Sequence, residues 1–175
     1  GCENIVFTST STVYGDAEKI PTPETAELKP ISAYGTSKLD AEKLIEKYCK
    51  ENNFRGVSYR FANCVGPRSN HGVTFDFVNK LRKDNNNLEI LGDGKQKKSY
   101  FHVEDCISGM LNMAPGELCE KGEMVALNVG SKDAIDVVTL AKSGEKIRKW
   151  ILDSHFSDEF NKAIEEGYSK LIKNS

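Results

Sequence analysis

Strand-like and helix-like segments alternate over the first third of the chain. A short apolar run predicts a strand over residues 4–9. Residues from Tyr34 to about Asn52 are good helix formers with apolar side chains at helical spacing. A second strand is predicted over Gly56–Arg60. Because two strands joined by a helix pair in parallel through a right-handed crossover, this alternation predicts an α/β fold with a parallel sheet.

The rest of the chain predicts shorter elements of both kinds. Local composition and spacing indicate a helix near Thr74–Lys83, a strand at Leu88–Leu91, a helix from Val103 to Met113, a strand near Met124–Asn128 and a helical tail beyond Ile147. No internal repeat interrupts this order.

Tyr34 and Lys38 lie one turn apart on the first predicted helix, so their side chains project from one face. An ammonium held near a phenol favours the phenolate, which makes the phenol a usable base near neutral pH. A hydroxyl at the end of the first strand, Thr10, could share a substrate oxygen with that phenol. The spacing alone is weak, because an exposed tyrosine near a solvated lysine is common; the preceding hydroxyl-rich strand end favours a catalytic pair.

Composition limits the partners of the chain. With 38% hydrophobic and 29% charged residues it is an ordinary globular sequence, and its net charge of −2 indicates neither a nucleic-acid nor an anionic membrane surface. No apolar stretch approaches the ~20 residues of a membrane span. Five widely spaced cysteines without a Cys-x-x-Cys pair predict reduced thiols in a cytoplasmic protein and no metal site.

Four motifs in order carry a family resemblance. They lie at Thr8–Gly15, Tyr34–Lys38, Tyr59–Arg68 and Gly92–Asp105. Together they resemble the extended short-chain dehydrogenase/reductase superfamily and, within its NAD-dependent epimerase/dehydratase family, the archaeal-type UDP-glucose 4-epimerases.

The resemblance implies the C-terminal part of a Rossmann-type parallel sheet over residues 1–66 and mainly a small α/β substrate-binding domain over 67–175. No Gly-x-x-Gly-x-x-Gly follows a strand, so we expect the half that holds most of the NAD to be absent from this sequence. We therefore expect the activity to belong to the complete protein and this chain alone to be inactive. An arginine-bearing segment of the family has no counterpart near 142–149, which suggests a deletion there.

The resemblance also implies an activity. It is NAD-dependent interconversion of UDP-glucose and UDP-galactose through a transient 4-keto sugar. Related dehydratases and decarboxylases carry an acid where this chain has Ser11 and Thr12. Removal of a C5 proton requires an acid or base that a hydroxyl cannot supply, so the pattern favours epimerisation.

Site residues follow from the same resemblance, position by position. The catalytic residues would be Thr10, Tyr34 and Lys38. Those at the NAD would be Thr8, Ser9, Tyr34, Lys38 and Phe61. Those at the UDP-sugar would be Thr10, Asn63, His71, Gly72, Val73, Leu91 and Lys98. Lys98 replaces an arginine of the family and loses its bidentate fork. Asn63 has an alternative role, in which its amide caps the following turn.

The resemblance implies a homodimer in which the Tyr34 helix contributes to a helix-bundle interface. The helix has apolar positions that exceed what one sheet face would cover, which agrees with this expectation: Leu39, Leu44, Ile45 and Tyr48. Two other functions stay open. The chain could belong to another sugar-nucleotide enzyme of the superfamily, a reductase or dehydratase, or it could be a non-catalytic fragment unable to bind NAD.

Overall fold

A computed structural model describes residues 2–66, 69–84, 86–113 and 115–143. Its strands are β1 (Asn4–Thr10), β2 (Arg55–Phe61), β3 (Asn63–Val65), β4 (Lys97–Lys98), β5 (Tyr100–His102), β6 (Met124–Val129) and β7 (Ile135–Asp136). Its helices are α1 (Ala33–Asn52), α2 (Val73–Lys83), α3 (Val103–Asn112) and α4 (Pro115–Leu118), with a 3-10 turn at Ser11–Tyr14.

The described residues divide into two compact units. The first contains the segment up to Ala62 and the segment Asp105–Lys132. Its sheet has the order β1-β2-β6, and both strand pairs are parallel. Helix α1 connects β1 to β2. The predicted α/β fold with a parallel sheet is therefore confirmed.

Successive side chains of β2 point to opposite faces of the sheet, and the two faces differ in character. Val57 and Tyr59 point to one face, where they form a core with Cys119 and partly buried apolar residues of α3, α4 and β6. Ser58 and Arg60 point to the other face, towards α1, and both bond to Glu42. A second core, of Val13, Tyr14 and Leu39, lies where α1 meets the 3-10 turn.

Both ends of α1 have sequence signals that explain its bounds. The Ser32 hydroxyl accepts a hydrogen bond from the backbone N–H of Gly35 at 3.0 Å, which caps the first turn. Asn53 ends the helix in the left-handed region with φ 57°. Between these caps the inward stripe consists of Gly35, Leu39, Glu42 and Cys49. One charged residue is thus buried among apolar ones.

The second unit contains the segment Asn63–Glu104 and the described residues 133–143. Within it, β3 pairs in parallel with β5, and β4 pairs antiparallel with β7. Helix α2 and a helical stretch over residues 137–143 complete its described part. Among the described residues of this unit, the buried apolar ones are Val65, Phe77, Phe101 and Leu140.

Most predicted elements are confirmed to within a few residues, but the strand predicted at Leu88–Leu91 is wrong. Leu88 and Ile90 are half-buried while Glu89 and Leu91 are exposed, so the alternation typical of a strand is present. These residues nevertheless pair with no neighbouring strand in the described part of the chain. The alternation of apolar and polar residues indicates which side chains face inward. It does not show that a neighbouring strand is available for backbone hydrogen bonds.

The observed division of the chain also differs from the predicted boundary at residue 66. Residues 105–132 join the first unit, because β6 pairs with β2 from Gly56–Met124 to Phe61–Val129. The predicted helical tail and most of the predicted gap near 142–149 lie outside the described residues. Among the residues that are described, no helix is both long and apolar enough to cross a membrane.

Candidate active site

The Lys38 ammonium lies between the Tyr34 ring and the C-terminal half of β1. The Lys38 Nζ lies 5.9 Å from the centroid of the Tyr34 ring and donates a hydrogen bond of 2.8 Å to the Thr8 carbonyl oxygen. It also lies 4.9 Å from the centroid of the Phe7 ring. Tyr34 is 56% exposed, so the phenol can be reached from solvent. The pair predicted from the spacing therefore shares one surface with the end of the strand.

Thr10 caps the 3-10 turn that follows β1. Its hydroxyl oxygen accepts hydrogen bonds from the Thr12 backbone N–H and the Thr12 hydroxyl, each at 3.2 Å. A hydroxyl has two acceptor positions and one proton. With both acceptor positions used, the Thr10 proton is left for donation to another oxygen.

The other residues expected near NAD in the first unit occupy different faces of the sheet. Thr8 and Thr10 are paired with Tyr59 and Phe61, and their side chains share that face. Ser9 is paired with Arg60 and points to the face covered by α1, where it is buried. The Phe61 ring stacks on Tyr59 at 6.2 Å between centroids. The Ser9 side chain therefore lies on the opposite face of the sheet from those of Thr8 and Thr10.

The residues expected near the sugar nucleotide in the second unit lie in separate elements. Gly72 precedes the first residue of α2, Val73, and adopts a φ of 92°. The neighbouring His71 is exposed, and its Nδ1 lies 2.8 Å from the Asn70 Oδ1. Leu91 is exposed in a loop, and the exposed Lys98 belongs to β4.

Asn63 opens β3 and bonds to the segment before β5. Its backbone N–H and its side-chain Nδ2 both donate to the Ser99 carbonyl oxygen, at 3.1 and 3.0 Å. This arrangement uses the side-chain nitrogen within the unit, and it differs from the turn cap considered as the alternative role. Sequence reasoning gave Asn63 a ligand contact, which stays a prediction.

A buried ionic network was missed by the sequence analysis. Glu42 on α1 and Arg60 on β2 are each only 5% exposed. The Arg60 Nη2 donates to the Glu42 Oε2 at 2.7 Å, and its Nε bonds to both carboxylate oxygens at 3.1 and 3.3 Å. The Ser58 hydroxyl donates to the Glu42 Oε1 at 2.9 Å. The Arg60 guanidinium therefore contacts both oxygens of the Glu42 carboxylate through two of its nitrogens.

The ionisation of Glu42 depends on these contacts. Burial by itself raises the pKa of this carboxyl, but the bonds from Arg60 and Ser58, the nearby Ser9 hydroxyl and the charge of Arg60 outweigh burial and leave the pKa below its usual value. The Ser9 hydroxyl is close enough to contribute, although it completes no hydrogen bond of standard geometry.

The network continues from Arg60 towards the loop before α1. The Arg60 Nη1 donates to the Tyr14 hydroxyl at 2.9 Å, and that hydroxyl donates to the Asn128 Oδ1 at 2.8 Å. Asn128 in turn donates from its Nδ2 to the Thr22 carbonyl and from its backbone N–H to a Glu24 carboxylate oxygen. The turn after β1, α1, β2, β6 and the loop are thereby joined through polar side chains.

Two sequence signals could have identified this network. Glu42 stands three residues after Leu39 and seven after Gly35, which places a carboxylate on the inward stripe of α1. Arg60 stands in the strand predicted over Gly56–Arg60, two residues after Ser58, so both side chains face the same side of the sheet. Because buried charges are paired in proteins, each position predicts an opposite charge on the element it faces.

Comparison with known proteins gives the family. The sequence profile of the NAD dependent epimerase/dehydratase family matches residues 1–130. Over 157 residues the chain is 32% identical to the Bacillus subtilis (strain 168) protein YtcB, described as an uncharacterized UDP-glucose epimerase, with 90% of this chain and 48% of that protein covered. Over 150 residues it is 30% identical to the dTDP-4-dehydro-6-deoxyglucose reductase of Escherichia coli, with 83% and 46% covered.

A solved structure agrees with the sequence relatives. The crystal structure of a UDP-galactose 4-epimerase superimposes with a TM-score of 0.74 at 40% identity, and covers 83% of this chain and 48% of its own. The chain spans about half the length of the relatives it matches. The matched profile includes both the Tyr34 helix and β6. The chain belongs to the NAD dependent epimerase/dehydratase family.

Proposed function

We propose that this chain is the catalytic and substrate-binding portion of an NAD-dependent 4-epimerase that interconverts UDP-glucose and UDP-galactose. The observation that carries the proposal is the position of the Lys38 ammonium, between the Tyr34 ring and the end of β1. Family membership supports a sugar-nucleotide substrate. Hydroxyl side chains at Ser11 and Thr12, where a dehydratase needs an acid, favour epimerisation.

The proposed roles follow from charge and hydrogen-bonding capacity. Tyr34 as phenolate takes the proton of the sugar 4-hydroxyl and returns it when the 4-keto sugar is reduced. Lys38 contributes a positive charge beside this phenol, with its Nζ 5.9 Å from the centroid of the Tyr34 ring and bonded to the Thr8 carbonyl. Thr10 donates its remaining proton to the same sugar oxygen and keeps that oxygen in place.

NAD, when bound, supplies hydride acceptance and return at the sugar C4. Tyr34 and Lys38 fit a ligand beside β1, because Tyr34 is exposed and Lys38 reaches the Thr8 carbonyl. The exposed Thr8 side chain lies on the sheet face opposite α1, and its contact with NAD stays a prediction. Ser9 is buried beneath α1, which fits a supporting role better than a ligand contact. Phe61 shares the sheet face of Thr8 and Thr10, and its contact with NAD stays a prediction.

In the second unit, the proposed ligand contacts are those of the resemblance: Asn63, His71, Gly72, Val73, Leu91 and Lys98. The exposed ammonium of Lys98 suits a diphosphate, and the positive φ of Gly72 at the start of α2 suits a close backbone approach. The cytoplasmic location also stays a prediction, which depends on the cysteine pattern.

A homodimer through α1 is part of the proposal. Leu44 and Tyr48 lie one turn apart on the helix and are 68% and 47% exposed. Ile45 is half-buried, and Leu39 is buried in the core of the first unit. Leu44 and Tyr48 are therefore the apolar residues of the predicted set that a partner helix would cover.

Turnover of UDP-galactose tests the proposed function. A complete protein that contains this sequence is incubated with NAD and UDP-galactose, and UDP-glucose is measured by chromatography. Tyr34→Phe removes the base, so we expect the rate to fall by about a hundredfold or more. Tyr48→Phe, a matched change on the same helix, should leave the rate unchanged.

The other possible functions give different results in the same assay. Turnover of a different nucleotide sugar, with UDP-galactose untouched, would indicate another enzyme of the superfamily, such as a reductase. Absence of turnover together with no NAD binding in equilibrium dialysis would contradict catalysis by this chain and support a non-catalytic fragment.

A further inference from the structure

Glu42 occupies a position on α1 where an apolar residue would be expected. Its neighbours on the inward stripe are Leu39, one turn earlier, and Cys49, two turns later. Placing an ionised carboxylate in such a site is costly unless charge and hydrogen bonds compensate for the lost water. Within the described part of the chain, the compensation comes from the sheet, through bonds from Arg60 and Ser58 and the nearby Ser9 hydroxyl. The ion pair therefore connects α1 to β2 at one defined point.

This connection lies close to the reactive face of the helix. Lys38 precedes Glu42 by one helical turn, and Tyr34 precedes it by two. The Lys38 ammonium reaches the Thr8 carbonyl at 2.8 Å, and Ser9, the next residue of β1, packs beside Glu42. A rotation or slide of α1 against the sheet would break the Arg60 contact and withdraw Lys38 from Thr8 together.

The directional bonds at Glu42 restrict that movement more than apolar packing would. Three nitrogen–oxygen contacts from Arg60 and one hydroxyl bond from Ser58 each require a particular carboxylate orientation. The apolar packing around Leu39 restricts the orientation of the helix less specifically, because hydrophobic contacts are non-directional. Catalytic groups must be held to within ~0.5 Å of their productive geometry.

We propose that Glu42 is a positioning residue, which holds α1 in register with β2 so that Tyr34 and Lys38 stay at the end of β1. The expected effect of Glu42 on catalysis rests on the proposed function. The expected effect of Glu42 on the position of Lys38 does not. Arg60 and Ser58 are the groups through which it acts.

Competitive acetylation of the lysines tests the position of Lys38 without any cofactor or substrate. Trace acetic anhydride is added to the chain, and the rate at Lys38 is compared with that at exposed Lys43 by peptide mass spectrometry. We expect Glu42→Ala to raise the Lys38/Lys43 ratio about fivefold, which corresponds to ~1 kcal/mol at the standard conversion between free energy and equilibrium constant.

Three further variants make the result specific. Glu42→Gln keeps one acceptor oxygen and the shape of the side chain, so the Lys38/Lys43 ratio should rise less than in Glu42→Ala. Ser58→Ala removes one bond and leaves the ion pair, so the chain should fold and the ratio should rise about twofold. Glu46→Gln, an exposed glutamate one turn further along α1, should leave the ratio unchanged.

The proposal is overturned if Glu42→Gln and Ser58→Ala keep native circular dichroism and leave the Lys38/Lys43 ratio unchanged. It is also overturned if Glu46→Gln raises the ratio as much as the Glu42 variants do. If Glu42→Ala does not fold, the ratio measured in Ser58→Ala tests the proposal. If the complete protein turns over UDP-galactose, Glu42→Gln should lower kcat with KM unchanged. If it does not, the proposed function fails while the acetylation ratio still reports on Glu42.

Discussion

At the scale of single residues, the buried pair of Glu42 and Arg60 makes the stability of the first unit depend on ionisation. The charges lie 2.7 Å apart and are almost fully removed from water. Breaking such a pair from one side costs more than the pair contributes, because the remaining charge is left without a partner. Arg60 would then be supported mainly by the Tyr14 hydroxyl and the Glu24 carbonyl.

The low pKa of Glu42 predicts how stability changes in acid. The carboxyl has a folded-state pKa below its ordinary value of 4.5, so it contributes its full stabilisation above that pH. This contribution is lost as the pH falls from there through the folded-state pKa. We expect urea midpoints to decrease over this window in the natural chain and to change less in Glu42→Gln. Equal pH profiles would contradict the assignment.

At the scale of elements, the cap of α1 sets the beginning of the helix that carries Tyr34. Ser32→Ala removes the acceptor for the Gly35 N–H and should lower the free energy of unfolding by about 1 kcal/mol. Ser37→Ala, on the exposed surface of the same helix, is the matched control and should have little effect. Urea titration of both variants measures the difference. An equal loss in the two would show that the cap contributes nothing particular.

The turn after Tyr14 depends on a glycine for two reasons. Gly15 adopts a φ of 62°, and a Cβ there would lie 2.0 Å from the Lys29 carbonyl oxygen. We expect Gly15→Ala to lower the thermal midpoint well below that of the natural chain. At Gly116 an added Cβ meets no atom within 4 Å, so Gly116→Ala should leave the midpoint unchanged or raise it. Similar midpoints would contradict this account of the turn.

At the scale of the whole molecule, the proposed dimer would cover the apolar residues that α1 leaves exposed. A charge at Leu44 would then have to be buried without a partner, so Leu44→Glu should yield monomers in sedimentation velocity. Leu111 on α3 is 76% exposed, and Leu111→Glu is the matched control that should leave dimers. A dimer that persists in Leu44→Glu and Tyr48→Glu would rule out association through this face.

Local patterns predicted the first unit better than the second. The strands β1 and β2 and the helix α1 are long enough for composition, periodicity and caps to agree. In the second unit, β3 and β5 have three residues each, and their pairing joins positions 63 and 100. Strands this short leave little periodic signal. Residues 88–91 show the opposite case, in which an alternating pattern predicted a strand that the structure lacks. Periodicity alone does not show that a neighbouring strand is available for pairing.

The sequence by itself determined the family, through four motifs in order along the chain. It also determined the parallel strand–helix–strand segment and the placement of Tyr34 and Lys38 on one helical face, since these depend on residues near one another in the chain. Only the tertiary structure decided that Glu42 meets Arg60, that Tyr14 meets Asn128 and that Ser9 lies beneath α1. The reason is that these contacts depend on the register between α1 and the sheet. That register results from packing and buried charge pairing across distant segments. Local patterns can mark Glu42 and Arg60 as buried charges, but they do not say which residue each one meets.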